Sequence, residues 1–216
     1  MGIKLFPTNF VYWEPIGNHD KIKPILIDKI LKNDKKYENN KASLENAHTS
    51  YSQNEFGNKN FTPPEFYTDL VWNPVKNLIR KLSSLEMINE ADISELMLDK
   101  DWYTKYDDNG SMGLHAHIKE QPTYYNNKLY SSFVSLIYIL HDENERNSTC
   151  FKVIPGFPPL STGPQKEIMY DTSCNSEIKE GVVIAFPSSL LHEVVPVKIP
   201  GRITIAFNVM CNFSDL

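Results

Sequence analysis

Two hydrophobic periods divide the chain. In its first third, apolar residues recur at the spacing of an amphipathic helix. Ile22, Ile25, Leu26 and Ile30, with Ile27 beside them, lie in DKIKPILIDKILKN, and Pro24 suits a first turn, where no backbone N–H is needed. A polar stretch from Asn33 to about Thr62, rich in Asn, Lys, Ser and Glu, carries no strong periodicity and predicts a long surface loop. Helical spacing resumes near Pro63-Pro64. A break is expected at Trp72-Asn73-Pro74, with Asn73 capping a new helix and Pro74 at its first position. Val75, Leu78, Ile79 and Leu82 would form its buried stripe.

From about Glu95 the period falls to two. Candidate strands are Leu96–Tyr106, Gly113–Ile118, Tyr130–Leu140, Thr149–Ile154, Glu167–Thr172, Gly181–Phe186, His192–Val197 and Arg202–Cys211. Turn signals separate them at Asp107–Gly110, Asp142–Asn147, Pro155–Gly163 and Pro200-Gly201. Eight short strands without intervening helices predict a mainly β (α+β) chain folded as a jelly roll, with the N-terminal helices packed on one sheet. No internal repeat is visible. The expected organisation is a single domain over 1–216, with 1–95 as a helical support region and 96–216 as the roll.

The last strand has two unlike faces. By alternation, Ile203, Ile205, Phe207 and Val209 share one side of RITIAFNV, and Arg202, Thr204, Ala206 and Asn208 share the other. The apolar row is assigned to packing beneath the helices and the polar row to the inside of the roll. An inward arginine is costly unless an anion meets it, so this row asks for a ligand.

Composition narrows the function without altering the fold. With 216 residues, 41% hydrophobic and 23% charged, the chain can bury a core. No apolar run approaches the roughly 20 residues that span a bilayer. The opening MGIKLFPTNFVYWEP lacks the long apolar run of a signal peptide, and Phe6 stands where a myristoylation site needs Ser or Thr. A cytoplasmic protein without a membrane partner is expected. The net charge of −5 is not gathered into runs, which argues against nucleic acid as a partner. Cys150, Cys174 and Cys211, spaced 24 and 37 apart, make neither a disulfide framework nor a zinc knuckle, so buried or half-buried free thiols are expected.

His115 and His117 lie two apart in GLHAHIKE, so on a strand both imidazoles project to one face, as two cis metal ligands must. His192 comes 75 residues after His117, where the run GVVIAF and a Pro-Ser turn deliver it to the next strand. Arg202 follows ten residues later. Each has a plain alternative: a chance histidine pair, a core histidine bonded to a carbonyl, an arginine paired with a carboxylate such as Glu193. Their coincidence in one β roll is what points to a metal centre with an anionic ligand. Glu120, five residues from His115, falls on the opposite face of a regular strand. His19, His48 and His141 have no partners at useful spacing and are expected on the surface.

The chain resembles the 2-oxoglutarate- and Fe(II)-dependent oxygenase superfamily, built on the double-stranded β-helix. It is most similar to a little-characterised bacterial and viral branch that carries H-x-H in place of H-x-D. LFPTNFVYW, DWYTKYDDNG, VSLIYIL, FPSSLLHEVVPV and GRITIAFNV carry the likeness, the last two most specifically. The resemblance implies that His115 and His192 are iron ligands, with His117 standing where a carboxylate usually stands. It also implies that Arg202 grips the distal carboxylate of 2-oxoglutarate, with Thr204 at the Ser or Thr position of the R-x-S pattern and Tyr138 as a further donor. Hydroxylation of a small-molecule or peptide substrate is the default expectation. Two rivals stay open: a cupin-like three-histidine enzyme (a dioxygenase or isomerase) that does not use 2-oxoglutarate, and a non-catalytic binding module. Asn33–Thr62 and Gln121–Lys128 are candidate lids, the latter with Tyr124-Tyr125 placed to stack on a ligand. A homodimer is compatible with such a roll.

Overall fold

The computed structural model describes residues 9–36, 46–51, 60–119, 121–143, 148–153, 168–197 and 201–213. Its strands, in chain order, are β1 (Tyr12–Pro15), β2 (Ala47–Thr49), β3 (Ile93–Tyr106), β4 (Met112–His115), β5 (Thr123–Tyr125), β6 (Lys128–His141), β7 (Thr149–Val153), β8 (Ile168–Asp171), β9 (Val182–Pro187), β10 (Leu191–Val194) and β11 (Arg202–Phe213). The larger sheet has the order β1-β9-β6-β11-β3-β2, with β5 paired to β6; the smaller is β4-β10-β7-β8. Every pairing is antiparallel. This is the jelly roll expected from the strand pattern, and each of the eight expected strands has its counterpart.

The three additional strands are short. β1 lies at the end of its sheet and finishes on Pro15, whose missing N–H an edge tolerates. β2 lies within the polar stretch expected as loop. β5 closes on β6 through Asn126-Asn127, both at positive φ (47° and 61°), the turn whose twist matches a two-residue hairpin. The expected lid at Gln121–Lys128 is therefore mostly hairpin.

Helix α1 (His19–Lys36) begins earlier than expected, so Pro24 lies inside it rather than in its first turn. Ile22, Leu26 and Ile30 are buried, while Ile25, expected on the same stripe, is 51% exposed. The break expected at Trp72-Asn73-Pro74 does not occur. A 3-10 turn (Pro64–Phe66) and a π-helical turn (Thr68–Trp72) lead directly into α2 (Asn73–Ser84). Asn73 is helical, with φ −65° and ψ −50°, and its N–H donates to the Thr68 carbonyl five residues back, so it caps nothing. Pro74 accounts for the wide turn. Its ring clashes with the carbonyl four residues back and it has no N–H to give, and an extra residue in the turn removes that conflict. The α2 stripe Val75, Leu78, Ile79 and Leu82 is buried as expected.

The larger sheet is apolar on both faces. Beneath the helices, Ile22, Leu26, Leu70, Val75 and Leu78 join Leu136 and Leu140 of β6 and Ile203, Ile205, Phe207 and Val209 of β11 in one core. Between the sheets, Ile137, Ile139, Ile184 and Phe186 meet Phe151 and Leu190. Burying each such side chain stabilises the fold by about 1.5–3 kcal/mol. Strand β3 keeps phase with β11 by a bulge: Asn208 pairs with Lys100 and Val209 with Leu98, skipping Asp99. The bulge puts Leu96 and Leu98 on the helix-covered face with Tyr103. Among the described residues no helix is long and apolar enough to cross a membrane. All three cysteines are free; Cys150 and Cys211 are buried, but Cys174 is exposed, contrary to expectation.

Glu180 fastens α1 to the larger sheet. Its carboxylate accepts from Lys23 Nζ at 2.5 Å, the Asp142 backbone N–H and His141 Nδ1 at 3.0 Å each, and His19 Nε2 at 3.2 Å. Gly181 beside it has φ 83°, and a Cβ there would lie 3.1 Å from the His19 ring, so conformation and space both require glycine. His19 and His141 are thus structural rather than idle surface residues, and His48 pairs with Asp107 at 3.1 Å. Partial burial alone would raise the Glu180 pKa, but Lys23, Asp142 N–H, His19 and His141 outweigh it and hold the group at about 2. A carboxylate depressed in the folded state contributes stability above its unfolded value of 4.5 and loses it as pH falls through about 2. Glu180→Gln is expected to cost about 1–2 kcal/mol near neutrality, after discounting for partial exposure. Denaturant titrations should show the gap from wild type narrowing as pH drops from 4.5 toward 2.

Candidate metal centre

Strand pairing brings two distant histidines together. His115 ends β4 and is the direct partner of His192 on β10, which places their Cβ atoms roughly 4.5–5.5 Å apart on one face. His117 lies just past the end of β4 rather than on it, and its backbone N–H is held by the Ser188 carbonyl at 2.9 Å. The ring centroids are 4.2 Å apart for His115 and His192, 4.8 Å for His117 and His192, and 5.1 Å for His115 and His117. One nitrogen from each ring lies within 4.8 Å of the others, and the Nε2 atoms of His115 and His117 are 3.2 Å apart. Imidazoles bonded to one ion at about 2.1 Å hold cis nitrogens about 3 Å apart, so the rings need draw in only slightly around a metal. Glu120, the neighbouring carboxylate, lies outside the described residues.

Hydrogen bonds aim two of the rings. His115 Nδ1 donates to the Gly113 carbonyl at 2.8 Å and His192 Nδ1 to the Leu190 carbonyl at 3.1 Å. With Nδ1 protonated, each Nε2 carries a lone pair, the arrangement a metal ligand needs. Burial lowers all three imidazole pKa values. His192 falls to about 3 through burial and then its neighbour His115, and His117 falls well below the ordinary value through burial and then the other two rings. The cluster is therefore neutral near pH 7. Phe151, Phe186 and Trp102 wall it, with ring centroids 5.8 Å and 4.7 Å from His192 and 5.1 Å from His117 respectively.

The polar row of β11 faces this cluster. Arg202, Thr204 and Ala206 stand opposite Tyr106, Thr104 and Trp102 on β3. Tyr106, Thr104, Trp102, Thr149, Thr204 and Ala206 share one cavity of about 20 Å³ with the three histidines. Arg202, opposite the lining residue Tyr106, is fully buried. Its Nη1 donates to the Ser148 carbonyl at 3.0 Å and Nη2 to Thr149 Oγ1 at 3.1 Å, while Nε has no hydrogen-bond partner and lies 4.0 Å from Asp142 Oδ2. Burial lowers the Arg202 pKa, against the pull of Tyr106 and Asp142. Burial raises that of Tyr106, which bonds with Thr204 and Thr104.

Tyr138 is elsewhere. It alternates with Ile137 and Ile139, so it points under the helices, where its hydroxyl meets His19 Nδ1 at 2.6 Å. It does not join Arg202 and Thr204. The tyrosine that does is Tyr106, which sequence reading passed over together with Thr104 and Trp102. The available signal was their shared parity in DWYTKY, but which parity faces inward depends on the β3–β11 register.

No protein-family model matches the chain, and no curated protein sequence matches it. Solved structures do. The non-haem α-ketoglutarate-dependent carbocyclase SnoK from nogalamycin biosynthesis superposes with a TM-score of 0.57 at 10% identity, over 95% of this chain and 81% of that one. HygX from Streptomyces hygroscopicus, with nickel and 2-oxoglutarate bound, gives a TM-score of 0.51 at 14% identity, over 94% and 83% of the two chains. At these identities the likeness establishes a common fold.

Proposed function

We propose that this chain is a 2-oxoglutarate- and iron(II)-dependent oxygenase, with a hydroxylation as its reaction. One observation carries the reading: a neutral three-imidazole cluster shares a cavity inside the roll with Thr149, Thr204 and Tyr106, and the fully buried guanidinium of Arg202 donates to that same Thr149. The donor sets fit both groups. His115, His117 and His192 would hold the iron, since imidazole suits iron as it suits nickel, copper and zinc. Arg202 would receive the distal carboxylate, helped by the hydroxyls of Thr204 and Tyr106, because its Nε donates no hydrogen bond and its ion pair with Asp142 is long, at 4.0 Å. When bound, iron and 2-oxoglutarate supply the oxidising chemistry, in which oxygen converts the cosubstrate to succinate and carbon dioxide and one oxygen atom passes to the substrate.

The chain's own residues orient and shield. Phe151 and Phe186 pack on His192 and Trp102 on His117, and this apolar wall sharpens the charge interactions on its side of the cluster. His117 brings no charge where a carboxylate would bring one, so the anionic ligand must come from the cosubstrate. The cavity, at about 20 Å³, has room for about one water, so its walls part when a dicarboxylate enters. The same small volume, with Asp142 beside Arg202, favours a second reading, a three-histidine metalloenzyme that does not use 2-oxoglutarate.

Anaerobic titration with Fe(II) and then 2-oxoglutarate separates the two. A weak visible charge-transfer band is expected on adding the cosubstrate; protein that binds iron yet shows no band excludes the first reading. In succinate-release assays, Tyr106→Phe is expected to raise the KM for 2-oxoglutarate by about tenfold, near the value of one hydrogen bond. Tyr138→Phe should leave that KM unchanged.

A further inference from the structure

Of the three histidines, His117 has the least secured ring. It stands past the end of β4 without strand pairing, and its Nδ1 is buried with no partner at hydrogen-bonding distance. Asn208, on the inward row of β11, is linked to the His117 segment by a chain of two serine hydroxyls, and against burial and the other two imidazoles, which lower the His117 pKa, its amide pulls the other way. Asn208 is itself aimed. Its Oδ1 accepts from Ser135 Oγ at 2.9 Å, and Ser135 Oγ lies 3.0 Å from Ser188 Oγ. Because the Ser135 proton goes to Asn208, the Ser188 hydroxyl must donate to Ser135, and the direction of the chain is set. Ser188 also supplies the carbonyl that holds the His117 backbone. Three separate segments thus converge on a histidine that is not a member of any sheet.

We propose that Asn208 is the positioning residue of His117: its Oδ1 takes the Nδ1 proton, turning the Nε2 lone pair toward the point shared with His115 and His192. The inference rests on the metal reading above. Carbonyls from Gly113 and Leu190 do this for the other two rings; for His117 the task falls to a side chain. A ring without a fixed tautomer spends part of its time presenting N–H to the ion, and outer partners of this kind typically change metal affinity 10–100-fold.

The test uses cobalt(II) as the probe and the full chain. Asn208→Leu is expected to weaken Co(II) binding 10–100-fold and to alter its visible ligand-field spectrum, while Asn208→Asp, which keeps the acceptor, retains both. Ring-nitrogen NMR of the metal-free proteins should show the Nδ1–H tautomer of His117 in the wild type and Asn208→Asp, and a mixture in Asn208→Leu. Ser135→Ala, which removes the donor behind Asn208 but leaves its acceptor, should give an intermediate affinity if Asn208→Leu does not fold. Unchanged cobalt affinity and tautomer in Asn208→Leu, or in Ser135→Ala where the former is unfolded, overturn the proposal alone. A wild type that binds no cobalt overturns it together with the metal centre.

Discussion

Replacing His192 by alanine is expected to abolish stoichiometric metal binding. Removing one of three ligands costs on the order of 3–4 kcal/mol, a hundred- to a thousand-fold in affinity, judged from the total held by small metal sites. His192 is the most severe choice because it touches both of the others and is 1% exposed, so no solvent ligand reaches its place without an open path. The side chain's structural contribution is small by comparison: one hydrogen bond to Leu190 and contacts with Phe151 and Phe186. His192→Gln, which keeps most of the volume, separates the two effects. Metal content after reconstitution, alongside a thermal melt of the metal-free proteins, is the measurement. A folded His192→Ala that still carries one metal per chain rules out the centre.

The second large effect is Arg202→Met. Under the 2-oxoglutarate reading it should raise the cosubstrate KM by a hundredfold or more, since cutting a buried, hydrogen-bonded charge typically costs about 2–5 kcal/mol. The substitution also removes the cation 4.0 Å from Asp142 Oδ2 and two donors from Ser148 and Thr149, so stability falls as well. Combining it with Asp142→Asn resolves the ambiguity. The double variant is expected to regain part of the lost stability, by removing the charge that lay beside Arg202, and none of the cosubstrate affinity. An enzyme that keeps its turnover in the Arg202→Met background, with or without 2-oxoglutarate, favours the second reading.

Much of this architecture is written locally. Strands can be read from alternation where their two faces differ in polarity, and β11 shows it most clearly: Ile203, Ile205 and Phe207 against Arg202, Thr204 and Asn208. The α2 stripe is legible for the same reason. What escapes depends on partners far away in the chain. The π turn before α2 answers a clash between Pro74 and a carbonyl four residues back, and composition alone does not say whether the helix breaks or widens. Edge strands such as β1 and β2 have too few residues to show a period. VSLIYIL is apolar on both rows, so nothing within it tells Tyr138 from Ile137 as the inward residue; only pairing with β11 and β9 decides. His19 and His141 look idle in sequence because Glu180, which engages both, lies 161 and 39 residues away.

At the candidate centre, the ligand triad and the guanidinium could be read as candidates from residue type and spacing. Their helpers could not. Tyr106, Thr149, Ser135 and Asn208 are ordinary strand residues until register places them around the cavity. Asp142 was legible only as part of a turn, and its approach to Arg202 is a tertiary fact.

Strand β11 lies between β3 and β6 and makes its ladder with both at once. Inserting or deleting one residue between positions 202 and 208 would put the two ends of the strand out of phase, so that the guanidinium and the amide would face opposite sides of the sheet. Neither neighbour can slip to compensate, because each is pinned on its far side by another strand. Length variation in this molecule should therefore accumulate in its connections, and this strand should behave as the ruler against which every other distance is set.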